Sequence, residues 1–194
     1  MGPASITAND LLNALKKLRV IADAEHAGTI LQGLQEGDAI GRSVNFARDL
    51  TTMPANVLTP TQLKNQAQLV EKESGGSIKG KYYDKKKLAK MKANAILAVN
   101  QGSSKAPWLS ELTYTPPGGP TTDHIFFVGK SVCFDSGGLD LKPAAGMRFM
   151  KRDMAGGAVA LAIIKAVALL KLPISVTVIL PAVENMPDGN AFRP

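Results

Sequence analysis

Apolar residues at Leu11, Leu12, Leu15 and Leu18 recur at helical spacing behind Thr7 and Asn9, which predicts an amphipathic helix over 7–20. A longer helix is predicted over 22–52, with Ile30, Leu31, Leu34, Ile40, Val44, Phe46, Ala47 and Leu50 on its apolar side. Met53-Pro54 and Thr59-Pro60 bracket a loop, because a residue before proline avoids helical geometry. A third helix over 61–72 is stopped by Gly75-Gly76. The pattern then changes. Strands are expected over 77–83 and 109–114, with a short basic helix over 85–91 between them. The apolar run 95–99 reads as a buried strand, and 124–128 as a core strand. A turn is expected over 116–120. Residues 155–170 are apolar almost all round and predict a buried helix, and 174–180 (ISVTVIL) a further buried strand.

Strands alternate with helices after residue 75, which predicts an α/β fold with a mixed, largely parallel sheet and helices on both faces. Residues 1–53 are helical only and read as a linker into the sheet domain over 54–194. Ligands in such sheets sit beyond the carboxyl ends of the strands.

Composition narrows the classes. The chain has 194 residues, 45% hydrophobic and 20% charged, which excludes intrinsic disorder and low-complexity classes. Cys133 is the one cysteine, so neither a disulfide framework nor a cysteine-based zinc knuckle is available, and a reducing compartment is expected. No secretory pattern and no run near the roughly 20 apolar residues of a membrane span stands out, so the reading is soluble, cytoplasmic and without membrane association. The net charge is +7, and residues 79–92 hold seven lysines against one aspartate. That run reads first as a solvated helix face and second as a nucleic-acid patch with Tyr82 and Tyr83 for stacking.

The chemistry concentrates in 128–157, VGKSVCFDSGGLDLKPAAGMRFMKRDMAGG. Lys130, Asp135, Lys142 and Asp153 fall at strand ends and loops beside glycines that permit close backbone approach. Taken singly, each has an ordinary reading: a turn aspartate, a helix-capping acid, two solvated lysines. Neither G-x-x-x-x-G-K-[ST] nor G-x-G-x-x-G is present, which argues against a phosphate loop.

Four blocks carry a resemblance: N-F-A-R-D-L-x-x-x-P-A-N-x-L-T-P at 45–60, V-G-K-x-x-x-F-D-S-G-G-x-x-L-K-P at 128–143, M-x-x-M-K-x-D-M at 147–154 and P-A-V-E-N-M-P-x-G-N-A at 181–191. The chain resembles the leucyl aminopeptidases, the hexameric dimetal family also called cytosol aminopeptidases. The resemblance implies a metalloexopeptidase that releases amino-terminal residues from peptides through water activated by two divalent metals, manganese or zinc first. Residues 54–194 would be the amino-terminal part of its catalytic domain. Asp135 matches a metal-bridging carboxylate, Asp153 a metal ligand and Lys130 an amine ligand. A lysine coordinates only as the neutral amine, a form that adjacent cations favour. Lys142 matches the catalytic lysine that stabilises developing oxyanion charge. Met150 matches a residue lining the pocket for the first substrate side chain, with Lys142 and Asp153 beside it. A homo-oligomer acting on peptides is implied, with nucleic acid the weaker partner.

The family's later block, N-T-D-A-E-G-R-L, has no counterpart here. Its acids ligate both metals, so this chain alone is expected to hold at most one metal and to lack turnover. The alternative is a non-catalytic relative that assembles with another chain. Ser131, Asp140 and Arg148 depart from the usual pattern without removing a matched ligand. Glu184 and Asn185 match it with no physical role beyond loop structure.

Overall fold

The computed structural model describes Val20, Ile21, Asp23 and residues 25–194. The helix expected over 7–20 lies outside the described residues, save Val20. The chain divides into two compact units, Met1–Glu36 and Gly37–Pro194. In the first, the described residues are helical from Ala27 onward. The second carries the sheet and the charged cluster discussed below.

Helix α1 runs over Ala27–Thr52. Of its predicted apolar side, Leu50 is buried, while Leu31, Leu34, Ile40 and Val44 are exposed. Helix α2, Pro60–Glu73, starts where the sequence dictates: Thr59 Oγ1 accepts the Gln62 N–H and proline occupies the first turn. Leu63, Ala67 and Val70 recur at helical spacing and are buried together. Strand β1 is Ile78–Tyr83, and helix α3, Lys85–Lys90, is capped by Asp84 accepting from Lys87 N.

Residues Asn94–Val99 form helix α4 with no buried residue, where the sequence suggested a buried strand. The five-residue apolar run AILAV over 95–99 has no period of its own, and the helical propensity of its alanines and leucine prevails. Strands β2 (Trp108–Tyr114), β3 (His124–Val128) and β4 (Ser131–Asp135) follow. A short helix α5, Ala144–Met147, and a 3₁₀ turn, Met150–Arg152, lead into helix α6, Ala155–Leu170, and strand β5, Ser175–Asn185. With that turn, Met150–Leu170 is long and apolar enough to cross a membrane by length and composition alone. It packs as a core helix, with Ala158, Leu161 and Ile164 fully buried.

The sheet order is β1-β2-β5, with β3 and β4 in succession along the other edge of β5. The mixed α/β class stands, but the four pairings divide evenly rather than being largely parallel: β1/β2 and β2/β5 are antiparallel, β3/β5 and β4/β5 parallel. The two long helices α2 and α6 share one face, where Leu112, Tyr114, Val176, Val178 and Leu180 complete the core. The other face carries polar cross-strand contacts such as Thr113 Oγ1 to Thr177 Oγ1 at 2.8 Å.

β3 is therefore not a core strand. Phe127 packs on the core, but Phe126 and Val128 are 61% and 71% exposed because β3 lies at the sheet edge. An apolar cavity of about 340 Å³ lies between α1 and α6, and none of its lining residues belongs to the carboxylate cluster below.

Candidate functional site

The four charged residues singled out in the sequence meet at the carboxyl end of β4. Asp135 is its last residue, paired across the sheet with Asn185 at the end of β5. The chain then turns through Ser136-Gly137-Gly138. Gly137 has φ +91° and a side chain there would strike the Asp140 carbonyl, so only glycine closes this turn without strain. The Gly137 N–H donates back to Asp135 Oδ1 at 2.9 Å, and Lys142 N donates to the Ser136 carbonyl at 2.9 Å. The loop thereby returns Lys142 to the strand end, with its Nζ 2.8 Å from Asp135 Oδ2.

Asp153 arrives from the other direction. It follows the 3₁₀ turn, which packs against β4, and precedes α6. Lys130 lies in the short link between β3 and β4, where its carbonyl accepts the Gly157 N–H at 2.7 Å and ties the link to the start of α6. Its Nζ is 2.9 Å from Asp153 Oδ1. Two lysine–carboxylate pairs thus stand side by side.

Their electrostatics differ. Burial pushes the Asp135 carboxyl up, but the Lys142 ammonium, the Gly137 N–H and the Asn185 amide outweigh it and hold it below its ordinary range. Asp135 in turn raises the Lys142 ammonium, against its partial desolvation, so Lys142 is held as a cation. Burial raises Asp153 above its ordinary range, and the neighbouring Asp135 adds to this while Lys130 opposes it. Asp153 Oδ2 is buried and has no hydrogen-bond partner among the described residues. A buried carboxylate oxygen without a donor is costly and calls for a partner, a cation above all.

The donor set fits one divalent cation: carboxylate oxygens from Asp135 and Asp153 with the Lys130 amine at hand. No group of three or more histidine, cysteine, aspartate or glutamate side chains among the described residues is placed to hold a metal ion. Met150 is half-buried and packs with Met147 against Phe134 and Met186, beside the cluster formed by β4 and the 3₁₀ turn.

Two residues left without a role by sequence reasoning acquire one. Asn185 Nδ2 donates to Asp135 Oδ1 at 2.8 Å. Glu184, fully buried, accepts from Arg193 and from Ser103 Oγ, and its own N–H goes to Asn100. Both lie on β5, which runs past the expected end at Leu180 into what read as a loop. Burial of a carboxylate beside a later arginine left no local signal in the sequence. Asp140 is exposed, Arg148 is exposed, and Ser131 is buried with its hydroxyl on the Gly129 carbonyl. In the lysine run, Lys81 pairs with Glu111, and the Tyr82 and Tyr83 hydroxyls donate to Glu71 and Glu111.

Residues 45–194 match the cytosol aminopeptidase family, catalytic domain. The chain belongs to that family. Among curated cytosol aminopeptidases, the probable one of Koribacter versatilis is 40% identical over 181 residues, covering 93% of this chain and 35% of that protein. The cytosol aminopeptidase of Pseudomonas aeruginosa strain PAO1 is 41% identical over 180 residues, 93% of this chain and 36% of that one. This chain thus spans about a third of the length of the curated relatives it matches. Among solved structures, the bottromycin maturation enzyme BotP in complex with Mn superposes with a TM-score of 0.76 at 36% identity, over 90% of this chain and 36% of that one. The cytosol aminopeptidase of Coxiella burnetii gives 0.72 at 35% identity, over 82% of this chain and 34% of that one. The mixed α/β architecture described above is thus that of the cytosol aminopeptidase catalytic domain over the matched part.

Proposed function

We propose that this chain supplies part of the active site of a metal-dependent aminopeptidase, which removes amino-terminal residues, leucine among them, from peptides in the cytosol. One observation carries the reading: within motifs shared with the family, two carboxylates converge, and one of them holds a buried oxygen with no donor among the described residues. Residues 54–194 are read as catalytic-domain sequence and 1–53 as its lead-in. Asp135, Asp153 and Lys130 are the residues that would hold a divalent cation. Manganese is the first candidate, since BotP, a 36% identical relative, was solved with it. When bound, such a cation polarises a peptide carbonyl and activates water.

The protein's own groups do the rest. Lys142, held cationic beside Asp135, is placed to meet negative charge growing on a carbonyl oxygen. Met150, half-buried among Met147, Phe134 and Met186, offers an apolar wall for the first substrate side chain. Asp153 is read as facing the substrate beside that wall as well as holding the cation. Two carboxylates and one amine suffice for one cation at most, so these residues by themselves are not expected to turn over substrate. In the longer relatives, the remaining ligands would come from sequence outside this match, and a homo-oligomer, hexameric as the family resemblance implies, is the proposed assembly.

The experiment is hydrolysis of a leucine anilide by the full-length protein loaded with Mn²⁺, for wild type and Lys142→Ala. The expected result is metal-dependent turnover that falls by roughly 10²–10³ in the variant, with metal content kept. Wild-type turnover in Lys142→Ala, or turnover insensitive to chelation, would overturn the reading.

A further inference from the structure

We propose that Asn185 is a positioning residue that aims Asp135 at the bound cation. The inference rests on the reading of Asp135 as a metal ligand. Asp135 offers two oxygens, and they are treated differently. Oδ1 accepts two fixed neutral donors, the Gly137 N–H at 2.9 Å and Asn185 Nδ2 at 2.8 Å. Among the described residues, Oδ2 accepts only from the Lys142 ammonium, at 2.8 Å. Two donors on one oxygen fix the plane of the carboxylate and leave the second oxygen, with one lone pair beyond the one that meets Lys142, to face a cation. A neutral amide does this without competing for the metal position, which a third lysine would.

The side-chain amide is not needed to close the fold. The end of β5 is already tied to the loop after β4 through the Asn185 backbone, whose carbonyl accepts both Ser136 N at 2.9 Å and Ser136 Oγ at 2.8 Å. The amide is an additional bond, directed at the one carboxylate. Gly138 makes room for it: a side chain at that position would stand 3.0 Å from Asn185 Oδ1. Glu184, the preceding residue, is anchored by Arg193, Ser103 and Asn100, so the strand end that carries Asn185 is itself held from the opposite side.

The test is a titration of the metal-free full-length protein with Mn²⁺, followed by electron paramagnetic resonance. Its readouts are the dissociation constant and, separately, the thermal midpoint of the metal-free protein. Asn185→Leu removes the donor at nearly constant size. Asn185→Ala removes it while leaving space, and serves if leucine is not accommodated. The expected result for either is Mn²⁺ binding weakened by about 10–100-fold, with a metal-free thermal midpoint within a few degrees of wild type. Wild-type affinity in both variants overturns the proposal, as does a loss of thermal stability with affinity unchanged. Asp135→Ala is titrated in parallel. If that variant keeps wild-type affinity, the ligand reading beneath the proposal fails and takes it along. If Asp135→Ala loses the metal while both Asn185 variants keep it, this inference alone fails.

Discussion

The face of the sheet under α2 and α6 and the carboxyl end of β4 are built by opposite rules. Under the helices, Leu63, Val70, Leu112, Leu161, Ile164, Val178 and Leu180 bury one another, and each finds its partners within the same fold. At the end of β4, two carboxylates are brought close together at an electrostatic cost that two lysines and two neutral donors offset in part, and one buried oxygen has no hydrogen-bond partner among the described residues. The first region is complete in itself. The second is arranged for something other than its own stability, as expected where a fold sacrifices stability for chemistry.

That contrast can be broken by substitution. The largest effect is predicted for Asp135→Ala in the full-length protein, where Mn²⁺ binding and turnover are both lost while the thermal midpoint moves little. Metal content and anilide hydrolysis are the measurements, and a variant that keeps both would erase the distinction. Leu161→Ala is the mirror case. It is expected to cost roughly 2–5 kcal/mol of stability in denaturant titration, with Mn²⁺ affinity unchanged in the folded population.

Asp153→Asn sharpens the point by changing sign. Removing the charge relieves the burial of a carboxylate whose Oδ2 has no hydrogen-bond partner among the described residues, against the loss of the Oδ1 ion pair to Lys130, and should leave the metal-free protein at least as stable as wild type while weakening Mn²⁺ binding. Destabilisation together with intact metal binding would mark Asp153 as a structural acid.

The smallest effect belongs to β1. Burial, reinforced by the Glu71 carboxylate, holds the Tyr82 phenol protonated well above its ordinary range. The folded state therefore binds that proton more tightly than the unfolded chain. This contribution is complete below the ordinary tyrosine value near 10 and is lost as pH rises above it. Tyr82→Phe should cost about 1 kcal/mol at neutral pH and flatten the decline of stability above pH 10. An unchanged alkaline slope would show that ionisation of Tyr82 is not the cause of that decline.

What could be read in the sequence follows the same division. Helices α2 and α6 and strands β1 and β2 were legible because apolar spacing acts locally, and prolines and glycines mark the limits of α2. β3 was misjudged because HIFFV looks the same whether a strand is central or at an edge, and only the sheet order decides. α4 was misjudged because a five-residue apolar run has no period. Lys130, Asp135, Lys142 and Asp153 stood out by their place at strand ends and glycine loops, but their roles came from motif resemblance, since spacing gives no reason for residues 135 and 153 to meet. Asn185 acquires its contact from the β4/β5 register, a long-range feature with no local signature.

The most direct test of the central claim is anomalous X-ray scattering from crystals of the full-length protein grown with Mn²⁺. The account predicts a peak at coordination distance from Asp153 Oδ2 and an Asp135 carboxylate oxygen, with Asn185 still bonded to Asp135 Oδ1. A protein that is active with Mn²⁺ but shows its metal peaks away from both carboxylates would contradict it.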